Sequence, residues 1–311
     1  MGLTKVSPAI ESSHGRKNAI INGDFNIWQR GTNIVVDISP TYTADRWVCF
    51  TPSPTLTGTV SKISDNPNGL TLQKDNGSSE NSILVLSTII ESINMAHFAG
   101  ESVTLSGELK VGADFSGVGN VITIEIRTGT VADEGAAGAL AGSWTGYQLS
   151  IKQITTTNQN WTTFDFTTII PSDALELAII IKYTTSGTAG ADDSINVRNI
   201  QLEKGTVATE FEYRSIGEEL SLCQRYYYAR SAGFVIRNSV INYYVQNYMN
   251  LPIIMRTTPT VSFIETVGGG VTVANVDVSP EIDYIRFSAQ FTSISTTGRL
   301  SYTAITADAE L

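Results

Sequence analysis

The side chains that could carry out catalysis are few in this chain of 311 residues. Its two histidines are His14, in a polar N-terminal stretch, and His97, in the apolar sequence NMAHFAG. A nucleophilic triad needs a serine or cysteine beside a histidine, and a third group that orients the histidine. The sequence supplies no such third group, and no cluster of histidine and cysteine has the spacing of a zinc site. The protein is therefore predicted not to be an enzyme.

Adjacent acidic residues are the other possible source of catalysis, because glycoside hydrolases use two facing carboxyl groups. Asp192 and Asp193 are consecutive at a predicted strand, so their side chains point to opposite faces of the sheet. Glu218 and Glu219 fall in the first turn of a predicted helix, where negative charge complements the helix dipole. Neither pair forms a facing acid and base. A polysaccharide-degrading enzyme is therefore kept only as the second alternative.

Sugar binding needs exposed aromatic side chains, because sugar rings stack on aromatic faces. Trp144 and Tyr147 stand at the end of Gly129–Gly146, a segment rich in alanine and glycine that predicts a long surface loop. We therefore expect Trp144 to be the most exposed of the four tryptophans, and we select Trp144 and Tyr147 as the carbohydrate contacts. The alternative role for Trp144 is to anchor the loop.

The elements that must position these residues are mostly strands. Polar and apolar residues alternate most clearly in Ser102–Val111 and Asn120–Thr128, and similar segments recur between turn signals. About ten such segments, the first within Ala19–Phe25, predict a β-sandwich before residue 214. Further alternating segments after residue 225 predict a second, smaller β domain. The fold class is therefore predicted to be all-β.

One helix is predicted between the two β domains. Ser215 and Glu218 have the spacing of a capping box, and an apolar stripe runs from Ile216 to Tyr227. The stripe packs either on the chain's own sandwich or against another chain. The predicted organisation is an N-terminal arm at 1–17, a sandwich at 18–213, a linker helix at 214–228 and a C-terminal β domain at 229–311 that forms the oligomer.

Charge and cysteine content limit the partners and the compartment. The formal net charge of −10 disfavours a nucleic-acid partner, because phosphates are neutralised by Lys and Arg. Cys49 and Cys223 are predicted to be buried free thiols of a protein made in a reducing cytoplasm. The N-terminal stretch is polar, and no apolar run reaches the roughly 20 residues of a membrane span. We expect a soluble protein without membrane insertion.

Two stretches carry a resemblance to a known family. Asn18–Trp47 and Asn199–Tyr228 resemble the opening and closing parts of a jelly-roll module found in bacteriophage tail-fibre and related virion proteins, and Leu251–Phe263 is similar to that family too. The resemblance implies a virion component of tail-fibre, tail-tip or head-fibre type that is synthesised in the host cytoplasm. It also implies a homo-oligomer, commonly a trimer. Ile27–Gly31 (IWQRG) is one of the family's motifs, and its role does not follow from the sequence.

The first domain also resembles the carbohydrate-binding jelly rolls attached to many glycoside hydrolases. In those modules an early Asn-Gly-x-Phe-Glu stretch meets a late pair of aspartates, often around a structural calcium ion. The corresponding residues here are Asn22–Asn26, in which Asn26 replaces the glutamate, and the pair Asp192-Asp193. The resemblance implies Asp24 and Asp193 as calcium ligands, and it places Trp47 and Trp161 in structural positions.

These features together predict a non-enzymatic virion protein that acts in particle assembly and in attachment to a host-surface glycan. The first alternative is a decoration or adaptor protein that binds no glycan. An exposed aromatic groove favours recognition, whereas burial of all four tryptophans favours the adaptor.

Overall fold

Alternation of polar and apolar residues separates the two faces of most strands, and it sets the architecture seen in a computed structural model. Strands hold 49% of the residues and helices 8%, which confirms the predicted all-β class. The structure describes residues 16–64, 67–231, 233–238, 242, 244–268, 271–294 and 298–310. His14 and nearly all of the predicted arm lie outside this set.

The chain divides into two units. The first contains the residues up to Asn26 together with Thr32–Arg214. The second contains Ile27–Gly31 together with Ser215–Glu310. The predicted linker helix therefore groups with the second unit, and so does the unexplained IWQRG motif.

The first unit is a sandwich of two six-stranded antiparallel sheets. Its strands are Asn33–Val35 (β1), Thr41–Tyr42 (β2), Trp47–Phe50 (β3), Gly58–Ile63 (β4), Gly69–Lys74 (β5), Ile83–Ile90 (β6), Ser102–Val111 (β7), Val121–Gly129 (β8), Gln148–Thr155 (β9), Thr162–Ile169 (β10), Glu176–Thr184 (β11) and Asp193–Lys204 (β12). Sheet A has the order β1-β4-β5-β12-β7-β10, and sheet B has the order β2-β3-β6-β11-β8-β9. This confirms the predicted N-terminal β-sandwich.

The core of this sandwich lies between the inner faces of the two sheets. Leu72, Leu105 and Ile195 from sheet A and Ile124 and Ile179 from sheet B are fully buried there. Sheet B is also covered on its outer face, where the short helix Ala136–Ala141 (α2) crosses it. A second helix of this unit, Ser92–Met95 (α1), follows β6. Sheet A keeps a polar outer face.

The strand predicted within Ala19–Phe25 is wrong, because this segment is a turn held by side chains. Asn18 Oδ1 accepts hydrogen bonds from the backbone N–H of Ile20, at 2.9 Å, and of Leu202, at 3.1 Å. The backbone at Asn22 and Phe25 is left-handed, with φ of 59° and 55°. An added Cβ on Gly23 would lie 2.1 Å from the carbonyl oxygen of Ile200, so only glycine fits there. The two stretches that carry the family resemblance are thus locked to each other.

The second unit is a smaller β-sandwich that begins with a helix. Ser215 caps the helix Ile216–Gln224 (α3) by accepting from the Glu218 N–H at 3.4 Å, as the capping box predicts. The strands are Tyr227–Arg230 (β13), Phe234–Asn238 (β14), Tyr244–Asn250 (β15), Thr260–Gly268 (β16), Val271–Pro280 (β17), Tyr284–Ile294 (β18) and Gly298–Asp308 (β19). In one sheet β19 pairs with β13, β14 and β16, and the other sheet has the order β15-β18-β17. Phe263, Phe287 and Tyr302 pack together between them, with ring centroids 4.7–5.8 Å apart.

The IWQRG motif completes this second unit. The Gln29 side chain donates to the Tyr227 carbonyl at 2.7 Å and accepts from the Ala229 N–H at 3.4 Å, so it bonds the backbone of β13. The Arg30 guanidinium lies 3.5 Å from the centre of the Tyr227 ring. It also pairs with Asp308 at 3.2 Å and Glu310 at 3.4 Å. The motif therefore ties the first and last strands of the unit together.

Two further predictions concern the cysteines and the membrane. Cys49 and Cys223 are buried and form no disulfide, as predicted. Burial raises the pKa of the Cys49 thiol to about 12. Among the residues that the structure describes, no helix has the length and apolarity needed to cross a membrane.

Candidate functional site

The outer face of sheet A contains a cavity of about 250 Å³ between β7, β10 and the segment that follows β12. Ser106 and Glu108 of β7 and Asp165 of β10 form its floor. Asn199 lies at one side, and Phe211 belongs to the covering segment. We call this cavity the groove, and all of its lining residues belong to the first unit.

A β-bulge in β12 builds one side of the groove. The pairing of β12 with β7 runs to Arg198 opposite Glu108 and resumes only at Gln201 opposite Ser106. At the bulge Asn199 has a left-handed backbone, with φ of 53°. Bulges redirect side chains and are frequent beside functional sites. Here the bulge allows two successive side chains, those of Arg198 and Asn199, to reach the outer face.

Those two side chains hold the Glu108 carboxylate in place. Arg198 Nη2 lies 2.7 Å from Glu108 Oε2, and Asn199 Nδ2 donates to Glu108 Oε1 at 2.7 Å. The Arg198 guanidinium also stacks on the Trp161 ring at 4.1 Å, and Lys110 Nζ lies 5.0 Å from the same ring. The charge of Glu108 is therefore compensated within the site. Trp161 is half-buried beside the groove.

The opposite side is formed by residues 206–213, which we call the strap. Glu203 on the outer face of β12 accepts from the backbone N–H and the hydroxyl of Thr209, both at 2.7 Å. Gln201 Oε1 accepts from the Glu212 N–H at 2.8 Å. Because Leu202 between them points into the core, the sequence Gln-Leu-Glu places both polar side chains on the strap side. These contacts give a structural role to Asn199–Tyr228, the second stretch that carries the family resemblance.

The strap supplies the aromatic side chains of the site. Phe211 and Tyr213 pack edge to face, with ring centroids 4.8 Å apart. Tyr213 is 62% exposed, and its hydroxyl lies 3.5 Å from Asn199 Oδ1. One aromatic face is therefore available to a ligand at the rim. Sequence reasoning missed this residue because nothing in EFEYR indicates a fixed strap.

Trp144, the first of the two predicted sugar contacts, is buried, so the expectation that it is exposed is wrong. It is 3% exposed and packs with Val85, Ile89, Ala178 and Ile180 on the outer face of sheet B. Its indole N–H donates to the Gly135 carbonyl at 3.3 Å. A stacked sugar needs an open ring face, which Trp144 lacks. Its burial fits the alternative role, that of a loop anchor. The continuous apolar runs of β6 and β11 were the available signal, because they indicate strands buried on both faces.

Tyr147, the second predicted contact, is half-buried near Trp144 and not at the groove. Its ring lies 5.8 Å from the Arg127 guanidinium carbon, and burial raises the pKa of its hydroxyl. Arg127 in turn donates to the carbonyl oxygens of Ala139, at 2.5 Å, and Leu140, at 2.9 Å, near the end of α2. This region therefore holds the helix against sheet B.

The predicted calcium ligands do not come together. Asp193 begins β12, and its carboxylate accepts from the Ser116 N–H at 2.9 Å and from the Ser116 hydroxyl at 2.5 Å. Asp24 adjoins Gly23, whose carbonyl accepts a hydrogen bond from the Ile200 N–H. Ile200 lies at the bulge of β12, seven residues after Asp193. The rise of a strand puts these two residues about 20 Å apart, so the two carboxylates do not share an ion. Within the described residues, no group of three or more His, Cys, Asp or Glu side chains could hold a metal.

A buried carboxyl group lies beneath the segment that carries α2. Glu176 is fully buried. Burial raises the pKa of the Glu176 carboxyl group to about 8. A hydrogen bond with the Glu134 backbone opposes this rise, whereas the negative charges of Glu134 and Asp133 add to it. Below that pH the buried group is neutral.

No protein-family model and no curated protein matches the chain significantly, whereas several solved structures do. One is the enzymatically active domain of bacteriophage CBA120 tailspike protein 4, at 11% identity and a TM-score of 0.37, covering 60% of this chain and 21% of that one. Another is the Clostridium thermocellum N-terminal endo-1,4-β-D-xylanase 10B with CBM22-1 and GH10 modules. Its identity is 9% and its TM-score 0.35, and the match covers 55% of this chain and 28% of that one. A CBM4 structure matches at 18% identity and a TM-score of 0.36, covering 59% of this chain and 98% of that one. The chain thus spans less than a third of the first two proteins, and these likenesses are too distant to assign it an activity.

Proposed function

We propose that the first unit binds carbohydrate in the groove and that it does so without cleaving it. The observation that carries the proposal is the combination of a polar floor on sheet A with aromatic side chains fixed beside it. Ligand sites typically join a few positioned polar groups to apolar or aromatic walls. The lining of the groove has this composition, with Glu108, Asn199 and Ser106 as polar groups and Phe211 as an aromatic one, and Tyr213 packs on Phe211 at the rim.

The groups in the groove match the hydrogen-bonding needs of sugar hydroxyls. Asp165 and Thr163 are exposed on β10, and carboxylates and hydroxyls accept or donate to such groups. Asn199 is 8% exposed and is held by Glu108, so its amide is oriented before a ligand arrives. Such preorganisation lowers the entropy that binding costs.

The same contacts argue for binding in place of hydrolysis. A glycosidase needs one carboxyl group free to donate a proton and a second that attacks or activates water. The two carboxylate oxygens of Glu108 are already engaged, one by Arg198 and the other by Asn199, so Glu108 is not free for either role. A non-enzymatic role is therefore the function that this geometry supports best.

The wider role that we propose is that of a bacteriophage virion component of fibre or tail-tip type. Its support is the resemblance of Asn18–Trp47 and Asn199–Tyr228 to virion proteins, together with the structural use of both stretches. In this role the second unit assembles a homo-oligomer, commonly a trimer in such fibres, and the protein contacts other virion proteins. Light scattering on the full chain tests this part, because a trimer supports it and a monomer contradicts it.

The adaptor role is the second candidate, and the tryptophans give it partial support. Trp47 and Trp144 are buried, whereas Trp28 and Trp161 are only half-buried. Glycan binding decides between the two roles, because an adaptor of this kind has no glycan ligand.

A glycan array probed with the full chain tests the binding proposal. We expect Tyr213→Ala to weaken binding about ten-fold, because it removes the exposed aromatic face at the groove. Tyr244→Ala is the matched control, since Tyr244 is 57% exposed and lies in the second unit. Absence of glycan binding by the parent protein, or equal loss in both variants, contradicts the proposal.

A further inference from the structure

The charges around the groove are unevenly distributed. Its two cationic neighbours on sheet A, Arg198 and Lys110, lie at the end near Trp161. Arg198 is already paired with Glu108. The opposite end contains Asp165 on the floor and Glu210 on the strap.

Asp165 and Glu210 are carboxylates that the protein leaves available. Both residues are exposed, and their carboxylates make no ion pair or hydrogen bond with any described residue. A cation beside the strap is Lys17, whose Nζ donates to the Thr209 hydroxyl at 2.6 Å and to the Glu210 carbonyl at 2.5 Å. Lys17 therefore adds one positive charge at this end, against the three carboxylates of Asp165, Glu210 and Glu203, and the balance stays negative.

The two acids reach the groove from different elements of the first unit. Asp165 lies directly opposite Ser106 in the pairing of β10 with β7, so its side chain emerges on the outer face beside the cavity. Glu210 reaches the cavity from the strap, which is fixed from below by Gln201 and Glu203. A ligand in the groove therefore meets one carboxylate from the floor and one from the covering segment.

We infer that the groove prefers glycans that carry a free amino group, such as de-N-acetylated hexosamines, and discriminates against uronic acids and other anionic glycans. This inference rests on the proposed function and names the ligand class of the same site. A protonated amine gains charge-assisted hydrogen bonds to the two carboxylates, whereas an anionic sugar is repelled by them. Exposed ion pairs are individually weak, so the combined preference is expected to be about three- to ten-fold at low salt.

Calorimetric titration of the full chain with three hexasaccharides tests the inference. The probes are the hexamer of glucosamine, the hexamer of N-acetylglucosamine and the hexamer of galacturonic acid, at pH 6 and low salt. We expect the glucosamine hexamer to bind about three- to ten-fold more tightly than its acetylated form, and the galacturonic acid hexamer to bind most weakly. Added salt should reduce the difference, because it screens exposed charges.

A double variant locates the effect. Asp165→Asn with Glu210→Gln should remove the preference for the amine, so that the glucosamine hexamer and the acetylated hexamer bind this variant with equal affinity. Asp173→Asn with Glu281→Gln, two exposed acids outside the groove, is the matched control and should keep the preference. A glucosamine hexamer that does not bind, or that binds no better than the acetylated one, overturns the inference. The inference is also overturned if the preference for the amine persists in the Asp165→Asn, Glu210→Gln variant. The proposed function is tested separately, by whether binding on the glycan array depends on Tyr213.

Discussion

Replacing Arg30 by alanine is expected to destabilise the second unit by about 3 kcal/mol, the cost of removing one partner from a buried ion pair. Arg30 is only 12% exposed and lies between the Tyr227 ring and the Glu310 carboxylate, which is 4% exposed. The variant loses the stacking contact and leaves two carboxylates without this cation. Chemical denaturation of the full chain, followed by hydrogen exchange in β13 and β19, measures the loss.

Two further substitutions make the Arg30 prediction specific. Arg30→Lys keeps the positive charge but lacks the planar guanidinium and its stacking on the ring. We therefore expect its loss of stability to lie between zero and that of Arg30→Ala. Arg237→Ala removes an exposed arginine from the same unit and should change stability by less than about 0.5 kcal/mol. Equal stability of Arg30→Ala and Arg237→Ala would show that the motif does not hold the unit together.

Replacing Glu176 by glutamine is expected to stabilise the first unit at alkaline pH. The pKa of the Glu176 carboxyl group is about 8 in the folded chain, above its ordinary value of 4.5, because the group is buried. Its stabilising contribution is therefore fully present below pH 4.5 and is lost as the pH rises to about 8. The full loss is about 5 kcal/mol. Glutamine stays neutral, so the variant should lack this loss.

Melting curves of parent and variant between pH 4 and pH 9 provide the measurement. The difference in stability should be small at pH 4, grow through the interval up to pH 8 and then level off. Glu281→Gln, at an exposed position, is the control and should follow the parent at every pH. A Glu176→Gln variant whose stability falls with pH as steeply as that of the parent would contradict the burial of an ionisable group at this position.

Most strands could be predicted from the sequence, because alternation is a local property of the chain. Ser102–Val111 has the predicted bounds, and Val121–Gly129 differs from the predicted Asn120–Thr128 by one residue at each end. Trp47–Phe50 was not predicted as a strand, because WVCF is short and almost entirely buried and shows no alternation. Ala19–Phe25 was mistaken for a strand because its turn depends on Asn18 bonding residues nearly two hundred positions away.

The site could be predicted only in part, because it depends on contacts between distant segments. The bulge that directs Asn199 toward Glu108 has no signal within β12 itself. It is permitted by Gly107 on the paired strand, where an added Cβ would lie 2.5 Å from Ile200 Cδ1. Likewise, the exposure predicted for Trp144 followed from its loop, whereas its burial follows from the apolar outer face of sheet B.

The IWQRG motif shows the same limitation on the scale of domains. A boundary inferred from contiguous segments assigns Ile27–Gly31 to the first sandwich, which surrounds it in sequence. The structure assigns it to the second unit through Gln29 and Arg30. Nothing in the composition of the sequence indicates that this segment packs with the second unit, so no role could be predicted for the motif.

Hydrogen–deuterium exchange on the full chain, with and without the tightest-binding glycan of the array, tests the central claim most directly. If the groove is the binding site, the glycan should slow exchange in the strap, residues 206–213, and in β10, Thr162–Ile169. The second unit should exchange at the same rate in both samples. Protection confined to the second unit, or to the segment around Trp144, would contradict the assignment of carbohydrate binding to the groove.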